Sequence, residues 1–79
     1  MSASWKLAYM RLVGQLRRGR ERMGLYQSDI ADRLGASRRT FQRWEAGEAE
    51  PSASQLFRWA DMLGVTITSE FSKAPNLAQ

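Results

Sequence analysis

A chain of 79 residues with 43% apolar side chains builds one domain, close to the smallest that a single core can hold together. With neither Cys nor His it forms no disulfide and offers none of the usual zinc ligands, so a cytoplasmic setting with no metal or cofactor is expected. The net charge of +4 is unevenly spread: residues 1–47 carry ten Lys/Arg against four Asp/Glu, and residues 48–79 carry two against four.

Ten of the twelve basic residues are Arg, whose planar fork matches phosphate and guanine. A polyanion partner on one face is the reading this favours, and a charged surface kept for solubility is the alternative that composition leaves open. No run approaches the roughly 18 apolar residues of a membrane span. The first twenty residues are interrupted by Lys6 and Arg11 and lack the order of a signal peptide, so neither targeting nor membrane insertion is expected.

Taken in chain order, Trp5, Tyr9, Leu12, Val13, Leu16 and Met23 recur mostly at steps of three or four, the stripe of an amphipathic helix. Ser4 is its expected N-cap and Gly24 its stop, with Gly14 and Gly19 weakening the interior. A second helix is expected from Gln27 to Leu34, turning Ile30, Ala31 and Leu34 inward and stopped by Gly35. Ser37 caps a third, Arg38 to about Ala46, with Phe41 and Trp44 inward and Gly47 at its end. After the loop "EAEPSAS", Leu56, Trp59, Ala60 and Leu63 mark a fourth helix closed by Gly64.

Beyond Gly64 the period changes to two. Val65, Ile67, Ser69 and Phe71 alternate with polar residues, which predicts a strand over 65–71 and a frayed tail after it. A lone strand has nothing to pair with, so pairing across a dimer through Val65, Ile67 and Phe71 is the expected use. The alternative is an extended tail lying on its own domain. Residues 1–64 then form one helical domain, and 65–79 a strand and tail.

Two short helices joined by a tight glycine turn, the second rich in arginine on its outer face, describe a helix-turn-helix. Ala31 lies where the helices cross, Gly35 supplies the turn, and Ile30, Leu34, Phe41 and Trp44 fix the angle between them. Arg38, Arg39, Thr40, Gln42 and Arg43 remain outward, toward a major groove. Trp44 and Trp59 sit at helical core spacing and are read as packing rather than base-stacking residues.

The stretch from Leu16 to Val65 resembles the phage-repressor, Cro-like family of helix-turn-helix proteins, also called the Xre family. It does so through Arg20, "GLYQSDIADRLGAS", Trp44-Glu45-Ala46-Gly47, Pro51 and "LFRWADMLGV". The resemblance implies an all-α, lambda-repressor-like bundle of four or five helices that binds double-stranded DNA, usually as a dimer on a palindromic operator. By the same resemblance Arg38, Arg39 and Arg43 read base edges, and Gln27 contacts a phosphate while bracing the reading helix. Ser28, Thr40, Gln42 and Arg17 are backbone or peripheral contacts, and Arg20 and Glu45 form an ion pair between the first and third helices. Arg17, Arg18 and Arg22 are also compatible with plain solvated surface.

Three features depart from the pattern. Tyr26 stands where most members carry a capping Ser or Thr, with Asp29 placed to compensate. The loop after the reading helix carries Glu48 and Glu50, which argues against phosphate contacts there and leaves the backbone to the first and second helices. Trp5 to Leu12 lengthens the first helix beyond the family minimum. The function expected is a sequence-specific transcriptional regulator, a repressor acting by occupancy as a homodimer. An antitoxin that inhibits a partner protein and autoregulates its operon is the alternative. An enzyme is not expected, since no base, nucleophile and pocket come together.

Overall fold

The computed structural model describes residues 4–68. Four helices follow one another: α1 (Ser4–Arg22), α2 (Gln27–Leu34), α3 (Arg38–Ala46) and α4 (Ala53–Met62). The bounds match the sequence expectation to within a residue or two, with Ser4 the first helical residue instead of the cap ahead of it.

Side-chain caps set the starts of α3 and α4. Ser37 Oγ accepts the Thr40 N–H at 3.0 Å. Ser52 Oγ accepts the Gln55 N–H at 3.1 Å while Gln55 Oε1 accepts the Ser52 N–H at 2.9 Å, a reciprocal box that satisfies two otherwise orphaned donors. At α2, where Tyr26 has no such acceptor, Asp29 Oδ2 takes the Tyr26 N–H at 2.7 Å. That is the compensation the sequence suggested.

The core is Val13 and Leu16 from α1, Ile30, Ala31 and Leu34 from α2, Phe41 and Trp44 from α3, and Trp59 and Ala60 from α4. Its centre is aromatic. Phe41 meets Trp59 edge to face with centroids 4.9 Å apart and Trp44 at 6.1 Å, geometries worth about 0.5–1.5 kcal/mol each beyond burial alone. The two tryptophans are therefore packing residues.

The ends of the α1 stripe are a correction. Trp5 is 65% exposed near the start of α1, and Met23 54% exposed in the turn that follows its end. The extension beyond the family minimum has a use nonetheless. Met10 lies over Gly47, and a β-carbon added there would sit 2.6 Å from Met10 Cε. Tyr9 faces the same connection: burial, and after it the nearby Glu50 carboxylate, push its phenol pKa upward. The N-terminal half of α1 thus covers the loop that leaves α3.

No strand occurs among the described residues. Residues 65–68 carry no ladder, and 69–71, including Phe71, lie outside the described residues. The alternation predicted for this stretch is nonetheless present in its burial. Val65 and Ile67 are half-buried against the core of their own domain, while Thr66 and Thr68 are exposed.

Candidate nucleic-acid interface

The turn between α2 and α3 is only three residues long. Gly35 takes φ +70°, a left-handed conformation that a side chain would strain, and the N–H groups of Gly35 and Ala36 close the end of α2 onto the Asp32 and Ala31 carbonyls. Ala31 is fully buried at the helix crossing. From there Ser37 caps α3, and the side chains of Arg38, Arg39, Thr40, Gln42 and Arg43 are all exposed, while Phe41, Trp44 and Glu45 are buried. At 100° per residue Arg38, Gln42, Arg39 and Arg43 fill one continuous arc of α3. Thr40 lies beyond its edge, where its hydroxyl accepts from Ser37 Oγ at 2.9 Å and belongs to the cap.

What holds that arc in place is a buried polar network. Glu45 is the one charged residue buried among the described residues. Arg20 grips it with both arms of its guanidinium, Nε to Oε2 at 2.7 Å and Nη2 to Oε1 at 3.1 Å, and Nη1 donates to the Leu25 carbonyl at 2.8 Å. Gln27 Nε2 adds a third donor to Glu45, at 2.9 Å. One carboxylate on the reading helix is therefore tied to α1 and to the first residue of α2, with Arg20 also tying down the connection between them. A buried charge is tolerable only when paired and hydrogen-bonded in this way. Arg20 and Glu45 thus form an ion pair between α1 and α3, and Gln27 donates to the same carboxylate.

The other expected contacts are spread around this centre. Arg20, Tyr26, Gln27, Ser28 and Arg38 line a shallow cleft of about 530 Å³ between the ends of α1, α2 and α3. Arg38 and Arg39 are exposed and make no ion pair or hydrogen bond with other described residues. Arg43 approaches Glu48 at 4.0 Å, and Arg17 pairs with Glu21 one turn on at 3.4 Å; both pairs are exposed and contribute little.

Two supporting residues escaped the sequence reading. Arg58 Nη2 donates to the Arg33 carbonyl at 2.8 Å and Gln55 Nε2 to the Leu34 carbonyl at 3.4 Å, so α4 caps the C-terminal end of α2 from the side. The signal was faint: Arg58 is one of only two basic residues after position 47. Phe57 was missed as well. It is 55% exposed and lines a groove with Ala60, Val65 and Ile67 on the far side of α4.

Residues 16–69 match the model of the helix-turn-helix family, of the Xre/Cro-like kind. The chain belongs to that family. A 48-residue stretch of this helix-turn-helix protein is 38% identical to the Type II methyltransferase M.SsoII of Shigella sonnei, covering 57% of this chain and 13% of that protein. The likeness is confined to the helix-turn-helix part. No solved structure matches. Family membership makes this a DNA-binding protein of the transcription-regulating type. Among the described residues no helix is long and apolar enough to cross a membrane, and no three acidic, His or Cys side chains gather where they could hold a metal.

Proposed function

We propose that this helix-turn-helix protein is a cytoplasmic, sequence-specific repressor that binds a palindromic operator as a homodimer and acts by occupancy, without a chemical step. The carrying observation is the exposed arc Arg38–Arg39–Gln42–Arg43 on a helix whose orientation is fixed by the buried Glu45 network. Arginine donates two parallel hydrogen bonds to guanine O6 and N7, worth about 1–3 kcal/mol of discrimination for each well-placed pair. Three such side chains on one arc call for a half-site containing guanine.

Backbone contacts in this reading come from the cleft, through Gln27 and Ser28, with Gln42 at its margin and Arg17 on α1 exchanging Glu21 for a phosphate. Such contacts set register and make binding salt-dependent. The dimer forms through Phe57, Val65 and Ile67. A half-exposed aromatic beside two half-buried β-branched residues is an apolar face that a second copy would cover.

Selection from a random-sequence duplex library tests this. The expected result is a two-fold symmetric site with guanines in each half, spaced by about one helical turn or a multiple of it. Salt-sensitive binding with no enriched sequence would contradict the base-reading role. Failure to bind any duplex would move the protein-inhibiting antitoxin to first place.

A further inference from the structure

The outer side of α1 carries a row of arginines that neither the core nor the reading helix uses. At 100° per residue Arg18 and Arg22 stand about 160° round the helix from Arg20, and Arg11 about 180°. Arg20 is the side chain through which α1 reaches α3, by way of Glu45. The row therefore faces away from the reading helix, with the body of α1, roughly 10 Å across, between them. Arg17 differs, lying only about 60° from Arg20 and pairing with Glu21.

Arg11, Arg18 and Arg22 are all exposed, as is Gln15 between them. Their guanidinium groups make no ion pair or hydrogen bond with other described residues. Arg18 and Arg22 are one turn apart, a like-charge pair that weakens a helix. No carboxylate relieves it, because Glu21, the one acidic residue of α1, is turned to Arg17. Gly14 is an independent observation. It sits inside the helix, where glycine is costly, and a β-carbon there would meet only the Arg18 guanidinium, at 3.3 Å from Nη1. The bare backbone at Gly14 thus seats Arg18 along the row, on the side toward Arg11. A surface kept only for solubility mixes its signs and needs no such seat.

The shape of the row selects its partner. From Arg11 to Arg22 it rises about 16 Å, and one strand of a duplex presents a phosphate about every 3.4 Å of its axis, so the row can meet several. Leu7, 61% exposed at the N-terminal end, is the one large apolar side chain on this line. A protein partner would find no apolar centre to dock on, and a phosphodiester backbone needs none.

We propose that Arg11, Arg18 and Arg22 form a second, sequence-independent DNA surface, which holds the backbone of a second duplex segment while α3 occupies the first. This rests on the DNA-reading function proposed above and goes beyond it: the domain bridges two segments, one read and one merely held. Because the row contacts only phosphates, the bridge is indifferent to the sequence of the second segment and sensitive to salt.

The test immobilises the selected site in excess, so that every reading helix is filled, and measures how much labelled scrambled duplex the bound full chain captures. Capture is scored per bound protein for wild type and for Arg11→Gln/Arg18→Gln/Arg22→Gln. Wild type should capture the second duplex, about 40-fold more weakly at about 200 mM than at about 50 mM salt, as three neutralised phosphates require. The variant should capture roughly ten-fold less or worse, while its affinity for the selected site and its melting temperature stay at wild-type values. Capture by the variant equal to wild type would overturn the proposal, leaving the second duplex to a neighbouring copy's reading helix. Equal loss of capture and of affinity for the selected site would overturn it too, by placing these arginines on the duplex that α3 reads. A lowered melting temperature would make the row structural and count against it in the same way. No capture by wild type would also overturn it, and would leave the row to an acidic protein surface. A wild-type chain that bound no duplex at all would defeat the DNA-reading function first, before any capture is measured.

Discussion

Glu45 carries more of this structure than its size suggests. Its carboxylate is almost wholly out of water and is balanced by three donors, two from Arg20 and one from Gln27. Replacing Glu45 and its partners together by apolar groups could be nearly neutral, whereas removing a single partner leaves an uncompensated charge indoors. Arg20→Ala should therefore cost about 3 kcal/mol of stability, read as a lower urea midpoint at unchanged m value. Gln27→Ala removes one neutral donor and should cost only about 1 kcal/mol. An Arg20→Ala midpoint equal to that of Gln27→Ala would mean that water reaches Glu45 and the network is not a buried one.

At the scale of elements, glycines with the same one-letter symbol have opposite consequences. Gly19 lies inside α1 and is buried, but a β-carbon there would meet Leu63 at 3.8 Å, an ordinary contact. Gly19→Ala should raise stability by about 1 kcal/mol through helix propensity. Gly47 holds φ +77° at the end of the reading helix, under Met10. Gly47→Ala should destabilise by about 1 kcal/mol through its strained backbone, the 2.6 Å approach being to the flexible tip of Met10, which can swing aside. Thermal melts of the two variants should move in opposite directions, and movement in the same direction would refute this account of the caps.

These elements also mark what a reader of the sequence alone can and cannot reach. Helix period and glycine stops reported all four helices, because each is short, amphipathic and closed by a residue suited to a left-handed turn. The Arg20–Glu45 pair came from a resemblance, since nothing in the spacing of residues 20 and 45 says that they meet. Trp5 misled because periodicity gives the face of a helix and not the length of the body beneath it, and Met23 because the helix ends one residue before it. Met10 over Gly47, and Arg58 on the α2 carbonyl, are contacts between elements whose relative placement no local pattern encodes. Val65 and Ile67 alternate as a strand would, yet burial of one face against a helix demands the same alternation as pairing does.

For the whole molecule the question is how so few residues hold one helix of a DNA-binding domain at a fixed angle. The domain spends its small core on fixing one angle. Phe41, Trp44 and Trp59 fill the space behind α3, Ala31 and Gly35 let α2 approach it, and α4 anchors the far end of α2 through Arg58 and Gln55. With that angle fixed, charge can be concentrated outside. The surplus of basic residues lies in the first 47 positions, and the acidic loop at Glu48 and Glu50 sits beneath the N-terminal half of α1. In the function proposed above, affinity without sequence comes from several cations and specificity from the arc of α3 alone.

That dependence is open to direct measurement: the ratio of affinities for the selected site and a scrambled duplex, at one salt concentration, for wild type and for Arg38→Ala/Arg39→Ala. If these arginines read guanine, the variant should lose about 2–6 kcal/mol of discrimination, so that the two duplexes bind nearly alike while some salt-dependent binding persists. A variant that binds both duplexes more weakly but keeps the wild-type ratio would contradict the account, and would return Arg38 and Arg39 to the backbone contacts.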